Sequence, residues 1–176
     1  LAGLDVPTET LQLTKKWFPR VAGGIEGGLY GYRTPEPRPA MVAEGMFSMQ
    51  LLGAPRASAA MRESATYIHM IPPISGSRSQ PYYYYWYYGT LALYQHGGPM
   101  WAGWNERMKT ELVGEQITSG PDAGSWNPTG MYAMRAGRIA STAMATLSLE
   151  VYYRYLPLYG FSELTKDEEL LNQDGN

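Results

Sequence analysis

Apolar residues along the chain recur with a helical period in two kinds of segment. Segments 11–21, 57–70 and 108–116 each carry one apolar stripe bounded by charged positions. Three other segments have almost no charged face: 40–52, 83–96 and 139–156. A helix that is apolar all round is buried all round. The pattern therefore predicts an all-α chain that contains both amphipathic and fully buried helices.

The two kinds of helix alternate and are separated by turns rich in glycine and proline. Gly45, Gly89 and Ala145 each begin the same order of small, variable, large, small and large residues. These starts lie 44 and 56 residues apart, close to the period of helical hairpin repeats in which one helix faces water. We therefore predict a repeat region at 1–160 and an acidic tail at 161–176. The predicted hairpins are at about 8–53, 57–97 and 104–157.

Two segments of the chain resemble a known family of helical repeats. Gln116, Gly120 and Trp126, at the end of an amphipathic helix, resemble the Gln-Trp repeat of squalene and related terpenoid cyclases, although Gly120 and Trp126 are farther apart than in that motif. Segment 149–157 is similar to the closing helix of bacterial proteins with prenyltransferase and squalene-oxidase type repeats. The resemblance implies an α/α toroid with inner and outer helix layers, of which this chain would be the C-terminal half.

The reaction motifs of that family are missing from the sequence. The DxDD acid motif and the magnesium-binding DDxxD motif both need paired aspartates, and the four aspartates here are isolated. The zinc site of protein prenyltransferases needs a cysteine, and the chain has none. The sequence thus favours a non-catalytic module that binds a protein, a glycan or an apolar ligand. The alternative is part of an isoprenoid cyclase or prenyltransferase-like enzyme whose acid or metal motif lies outside this chain.

Glu44 and Glu150 are the carboxylates of chemical interest, because each falls in a segment where an unpaired charge is costly. Either side chain could have a raised pKa and act as a general acid or base. The alternative is that each pairs with an arginine or faces water at a helix end. We keep both as candidates only, and assign no catalytic residue, metal ligand or cofactor.

Aromatic residues are the strongest candidates for ligand binding. An unbroken aromatic run extends from Tyr82 to Tyr88. At about 100° per residue its rings point in all directions, so the run is predicted to be mainly a packing feature of a surrounded helix. One or two of these aromatic rings, with other aromatic residues near the mouth of the toroid, would supply stacking surface. The predicted ligand-binding residues are Tyr82, Tyr83, Tyr87, Trp101, Trp104, Trp126 and Arg138.

Charge and composition narrow the choice of partner. The formal charge is -2, from 14 basic and 16 acidic residues scattered along the chain, which does not favour nucleic acid. The longest apolar-looking stretch, 82–94, is shorter than the roughly 20 residues that span a bilayer. Half a toroid would expose apolar helices along one edge, so we expect self-association or pairing with further repeats of a parent chain. Composition assigns no cellular location.

Overall fold

The computed structural model describes residues 5–75 and 82–154, and most of them are helical. The helices are α1 (Thr8–Val21), α2 (Pro39–Leu51), α3 (Ala59–Met70), α4 (Tyr83–His96), α5 (Gly98–Glu115), α6 (Gly130–Leu149) and α7 (Val151–Arg154). Strands β1 (Ala22–Gly23) and β2 (Leu29–Tyr30) form one small antiparallel pair. The predicted all-α class is confirmed. The predicted tail at 161–176 lies outside the described residues, and the hairpin boundaries stay predictions.

Local sequence explains several helix boundaries. Pro39 occupies the first turn of α2, where its missing N–H and fixed φ are tolerated. The side chain of Ser58 caps α3 by accepting a hydrogen bond from the Met61 backbone N–H. Gly97 joins α4 directly to α5 with a φ of 72°, a left-handed conformation that glycine adopts at little cost. The chain therefore reverses between these two helices with a single connecting residue.

The helices pack in two layers. In the first layer α4 lies between α2 and α6 and contacts both. In the second layer α3 packs on α2 and α5 packs on α4, and α3 and α5 touch each other. Trp104, Met108 and Leu112 form the buried stripe of α5, at the four-residue spacing of one helix face. The apolar segments around α2 and α4 thus form the centre of the core, with amphipathic helices over them.

The first and last long helices are less covered than the sequence predicts. Only Val21 of α1 is buried, and Leu13 is 58% exposed. In α6, Ser141, Ala145 and Ser148 are buried but Ile139 is 87% exposed. The prediction that this segment is buried on every side is therefore wrong for its described part. Among the described residues α6 packs mainly against α4, so the rest of its surface has less cover.

The aromatic run lies in the first turns of α4 and behaves as a packing feature. Tyr83, Tyr85 and Trp86 are buried. The other rings of the run are half-buried: Tyr82, Tyr84, Tyr87 and Tyr88. The Tyr85 hydroxyl is within hydrogen-bond distance of the carbonyl oxygens of Ile68 (3.2 Å) and Ile71 (2.8 Å) at the end of α3. Its ring meets the Trp104 ring edge-on, with centroids 5.6 Å apart.

No helix among the described residues is long and apolar enough to cross a membrane.

A glycine-rich loop between the two strands is held in place by one carboxylate. The Glu63 side chain on α3 accepts hydrogen bonds from the backbone N–H groups of Ile25 (2.7 Å), Glu26 (3.1 Å) and Gly28 (2.8 Å). The Ser64 hydroxyl donates to the Gly28 carbonyl at 2.5 Å. These contacts position β2, which carries Tyr30, against α2 and α3.

Candidate functional site

A cavity of about 380 Å³ lies between α1, β2 and the middle of α2. We call it the Glu44 pocket. Its lining residues are Trp17, Phe18, Tyr30, Gly31, Tyr32, Arg33, Met41, Glu44, Gly45 and Ser48. Four of these side chains are aromatic and three are polar or charged. Mostly apolar walls with a few convergent polar groups are typical of small-molecule sites.

The aromatic wall is positioned by a close approach between β2 and α2. A Cβ atom at Gly45 would lie 2.3 Å from the Tyr30 ring, so only glycine at this position lets the ring lie against the helix. The Phe18 ring packs edge-on against Tyr30, with centroids 5.4 Å apart. Burial raises the pKa of the Tyr30 phenol, and the negative charge of Glu63 raises it further. Tyr30 therefore stays a neutral ring at physiological pH.

Glu44 supplies the carboxyl group of the pocket. Burial raises its pKa above the ordinary value of 4.5, and a hydrogen bond with Tyr84 of α4 offsets part of this shift. The pKa of Tyr84 is also raised, first by burial and then by this hydrogen bond and the charge of Glu44. The Oε1 atom of Glu44 is enclosed but accepts no hydrogen bond from the described residues. A buried polar atom without a partner is costly and calls for an explanation.

Arg33 brings a positive charge to the rim of the same pocket. Its guanidinium carbon lies 5.6 Å from the centroid of the Tyr32 ring, a cation–π arrangement. The side chain of Ser48, one helical turn beyond Glu44, adds a hydroxyl to the lining. The pocket therefore offers aromatic faces together with a carboxyl, a guanidinium and a hydroxyl. Across residues 5–75 and 82–154, no group of three histidine, aspartate or glutamate side chains is placed to hold a metal ion.

Two of the predicted ligand-binding residues are parts of the core. Trp104 is 1% exposed, and its indole N–H donates to the Thr90 hydroxyl at 3.0 Å. Trp126 is 3% exposed, and its indole N–H donates to the Leu112 carbonyl at 2.7 Å. Both rings thus have buried faces and a satisfied polar group. Packing in the core, together with these hydrogen bonds, is therefore enough to explain both tryptophans.

Tyr82 and Tyr83 line a different and smaller cavity of about 70 Å³, between the start of α4 and α6. The wall on the α6 side is built from small side chains that include Ala133, Ala136 and Ala140. Burial raises the pKa of Tyr83 to about 12, the nearby charge of Glu115 adds to the shift, and a hydrogen bond with Thr129 opposes it. This space is too small for a drug-sized ligand, which needs a pocket of about 300 Å³ or more.

The remaining predicted residues lie elsewhere. Tyr87 is half-buried against Tyr88, with ring centroids 5.0 Å apart. Trp101 packs against Tyr94 and Tyr152 at the other end of α4, at centroid distances of 5.3 and 5.8 Å. The predicted residues therefore do not converge on one site.

Arg138 and Glu150 also lie apart from the Glu44 pocket. Arg138 forms an ion pair with Asp122 at 3.1 Å and donates to the Ser125 hydroxyl at 3.2 Å, which ties the long loop before α6 to that helix. Glu150 is exposed at the C-terminal end of α6. Of the two candidate carboxylates, Glu44 alone lines the pocket described above.

The sequence prediction missed the aromatic wall of the Glu44 pocket. Trp17 and Phe18 belong to the apolar stripe of α1, which predicts burial and not a binding surface. Tyr30 and Tyr32 lie in a glycine-rich segment of the sequence. Their alternation with Gly31 was the available signal, because aromatic residues between glycines in a loop have no helix face to bury.

Comparison of the chain with protein-family models, with curated proteins and with solved structures finds no match in any of the three.

Proposed function

We propose that this chain is a non-catalytic helical-repeat module that binds a small molecule in the Glu44 pocket. The ligand would present an apolar or ring-shaped face to the aromatic wall and a hydrogen-bond donor to Glu44. The observation that carries the proposal is a cavity of ligand size in which the Glu44 carboxyl group lies beside four aromatic side chains.

The layered packing supports a finer proposal about the fold. In an α/α toroid of the squalene cyclase and prenyltransferase type, α2, α4 and α6 would be inner helices, and α3 and α5 would be outer helices. The central position of α4 between α2 and α6 is compatible with this order. The Glu44 pocket would then lie at one end of the inner layer, where α2 meets the segment that precedes it.

A fragment screen by saturation-transfer NMR tests the binding proposal. Aromatic amines, amides and polyols should include molecules that bind the wild-type protein. Glu44→Gln keeps the shape of the side chain but alters its charge and hydrogen bonding, and should weaken these binders by about tenfold. Glu150→Gln is the matched control, since that carboxylate is exposed at the C-terminal end of α6. Binding that is unchanged in Glu44→Gln, or a screen without binders, would contradict the proposal.

The raised pKa of Glu44 favours one alternative function. A carboxyl whose pKa is raised is a stronger base in its ionised form, and could accept a proton from the substrate in an isoprenoid cyclase or prenyltransferase-like enzyme. The acid or metal motif of that family would then have to be supplied from outside this chain. Incubating the full-length parent protein with squalene and with prenyl diphosphates, followed by mass spectrometry of the products, tests this alternative. Turnover that is lost in Glu44→Gln would replace the binding proposal.

A further inference from the structure

A second cavity lies next to the Glu44 pocket, near the N-terminus of α2. This second cavity has a volume of about 340 Å³. Tyr32 and Met41 line both cavities, so the two cavities are neighbours along α2. The second cavity also contacts Glu36, Arg38 and Tyr82. We call the two cavities together the α2 groove.

The α2 groove is long enough for a chain-like ligand. Its lining on α2 extends from Arg38, at the N-cap, to Ser48. At 1.5 Å of rise per residue this segment is about 15 Å long. A compact fragment would fill only one of the two cavities. The shape therefore favours a ligand built from several linked units.

The charges in the groove are balanced. Two carboxylates, Glu36 and Glu44, and two guanidinium groups, Arg33 and Arg38, line it. A ligand with many charges of one sign would meet groups of its own sign. A hydrocarbon chain would desolvate these polar groups without giving them hydrogen bonds, which is costly. The balance favours a neutral ligand that carries many hydrogen-bonding groups.

The aromatic residues of the groove suit flat, partly apolar rings. Trp17 is 48% exposed and Tyr32 is 64% exposed, so both have faces open to a ligand. Planar carboxylates and guanidinium groups form paired hydrogen bonds with neighbouring donors or acceptors. Sugar rings combine an apolar C–H face with hydroxyl groups around their edge. An aromatic floor with planar charged groups beside it is complementary to that combination.

We infer that the α2 groove binds a neutral oligosaccharide, with one sugar unit in the Glu44 pocket and the next units along the N-terminal half of α2. This inference rests on the proposed binding function of the Glu44 pocket and adds the class of ligand. Tyr32, between the two cavities, stacks against the chain where it passes from one to the other. Arg38 hydrogen-bonds the distal units.

Isothermal titration calorimetry with neutral gluco-, manno- and xylo-oligosaccharides, from monosaccharide to tetrasaccharide, tests the inference. The affinity for at least one series should rise by about tenfold or more between the monosaccharide and the trisaccharide. Arg38→Ala should remove most of this gain, so that the trisaccharide and the monosaccharide bind with similar affinities. Arg107→Ala, an exposed arginine on α5, is the matched control and should change neither.

The outcomes separate this inference from the proposed function. Fragments that bind in a Glu44-dependent manner, without any oligosaccharide binding, would overturn the inference and leave the proposed function standing. An affinity that does not depend on chain length would do the same. Tighter binding of an anionic oligosaccharide such as a galacturonic acid oligomer would contradict the neutral class. No binding of fragments or of sugars would overturn both, provided circular dichroism shows each protein folded.

Discussion

Trp104 on α5 and Trp17 on α1 both belong to apolar stripes of amphipathic helices, but only 1% of Trp104 is exposed, against 48% of Trp17. Trp104 packs against α4 and donates its indole N–H to Thr90. Trp17 lines a cavity that is open to solvent. The same residue type thus stabilises the core in one helix and forms a candidate binding surface in the other.

The difference between the two regions lies in what covers them. α5 lies against α4 and touches α3, so its whole stripe is enclosed. α1 buries only its last residue, Val21, and the rest of its stripe stays accessible. Aromatic content alone therefore does not distinguish packing from binding. The distinction needs the exposed fraction of the ring and the state of its polar group.

The largest effect is expected from Trp104→Ala. The change removes a fully buried ring and leaves the Thr90 hydroxyl without its donor. Large-to-small changes of this kind in a core cost about 3–5 kcal/mol of unfolding free energy. Urea denaturation followed by circular dichroism measures the loss. Trp17→Ala is the control and should cost about 1 kcal/mol or less, because half of that ring is already exposed. Equal losses would remove the distinction between the two regions.

A steric test of the same core uses Gly89 on α4. A Cβ atom at this position would lie 2.6 Å from two carbons of the Trp104 ring. Gly89→Ala should therefore destabilise the protein by about 1–3 kcal/mol through overpacking. Gly114→Ala on α5 is the matched control, because a Cβ atom there meets nothing within 4 Å. Since alanine is the better helix former, this control should be neutral or stabilising by up to about 1 kcal/mol.

Glu63→Gln tests whether this side chain holds Tyr30 in its position at the α2 groove. The carboxylate accepts three backbone hydrogen bonds from the loop that leads to β2 and Tyr30. Its replacement should lower the unfolding free energy by about 1 kcal/mol, since charge-assisted hydrogen bonds are weakened but one acceptor remains. Ligand affinity should fall as well, while the Trp104 region is unaffected. Hydrogen exchange of the Ile25, Glu26 and Gly28 amides reports the change directly.

The control for Glu63 is Glu106→Gln, on the exposed surface of α5. This change should stay within about 0.5 kcal/mol of the wild type. If the three loop amides exchange at the wild-type rate in Glu63→Gln, the carboxylate does not hold the loop.

The smallest expected effect is a pH dependence from Glu44. Its folded-state pKa is raised above 4.5 by burial, so the folded protein holds this proton more tightly than the unfolded chain. The resulting contribution to stability is fully present below pH 4.5 and is lost as the pH rises through the folded-state pKa. Denaturation of the wild type and of Glu44→Gln between pH 4 and 8 measures it. The difference in unfolding free energy should move in favour of the variant as pH rises. A constant difference would contradict the raised pKa.

Much of the fold was predictable because helical periodicity is a local property. The helices at 59–70 and 83–96 follow from an apolar stripe and an apolar segment that are visible in the sequence. Gly97 marks the end of α4. The burial of the aromatic run at Tyr83, Tyr85 and Trp86 was predictable too, since consecutive rings on a helix point in all directions. The exposed side of α6 was not, because it depends on which neighbours lie against the helix.

The sequence by itself determined that the chain is all-α, which segments are apolar all round, and that Glu44 is a carboxylate in an apolar environment. Only the tertiary structure decided that Trp104 and Trp126 belong to the core while Trp17 and Tyr30 line a cavity around Glu44. The physical reason is that a helix face becomes core or binding surface according to the elements packed on it. Those contacts join residues far apart in the chain, such as Tyr30 against Gly45 and Glu63 against the loop at 25–28.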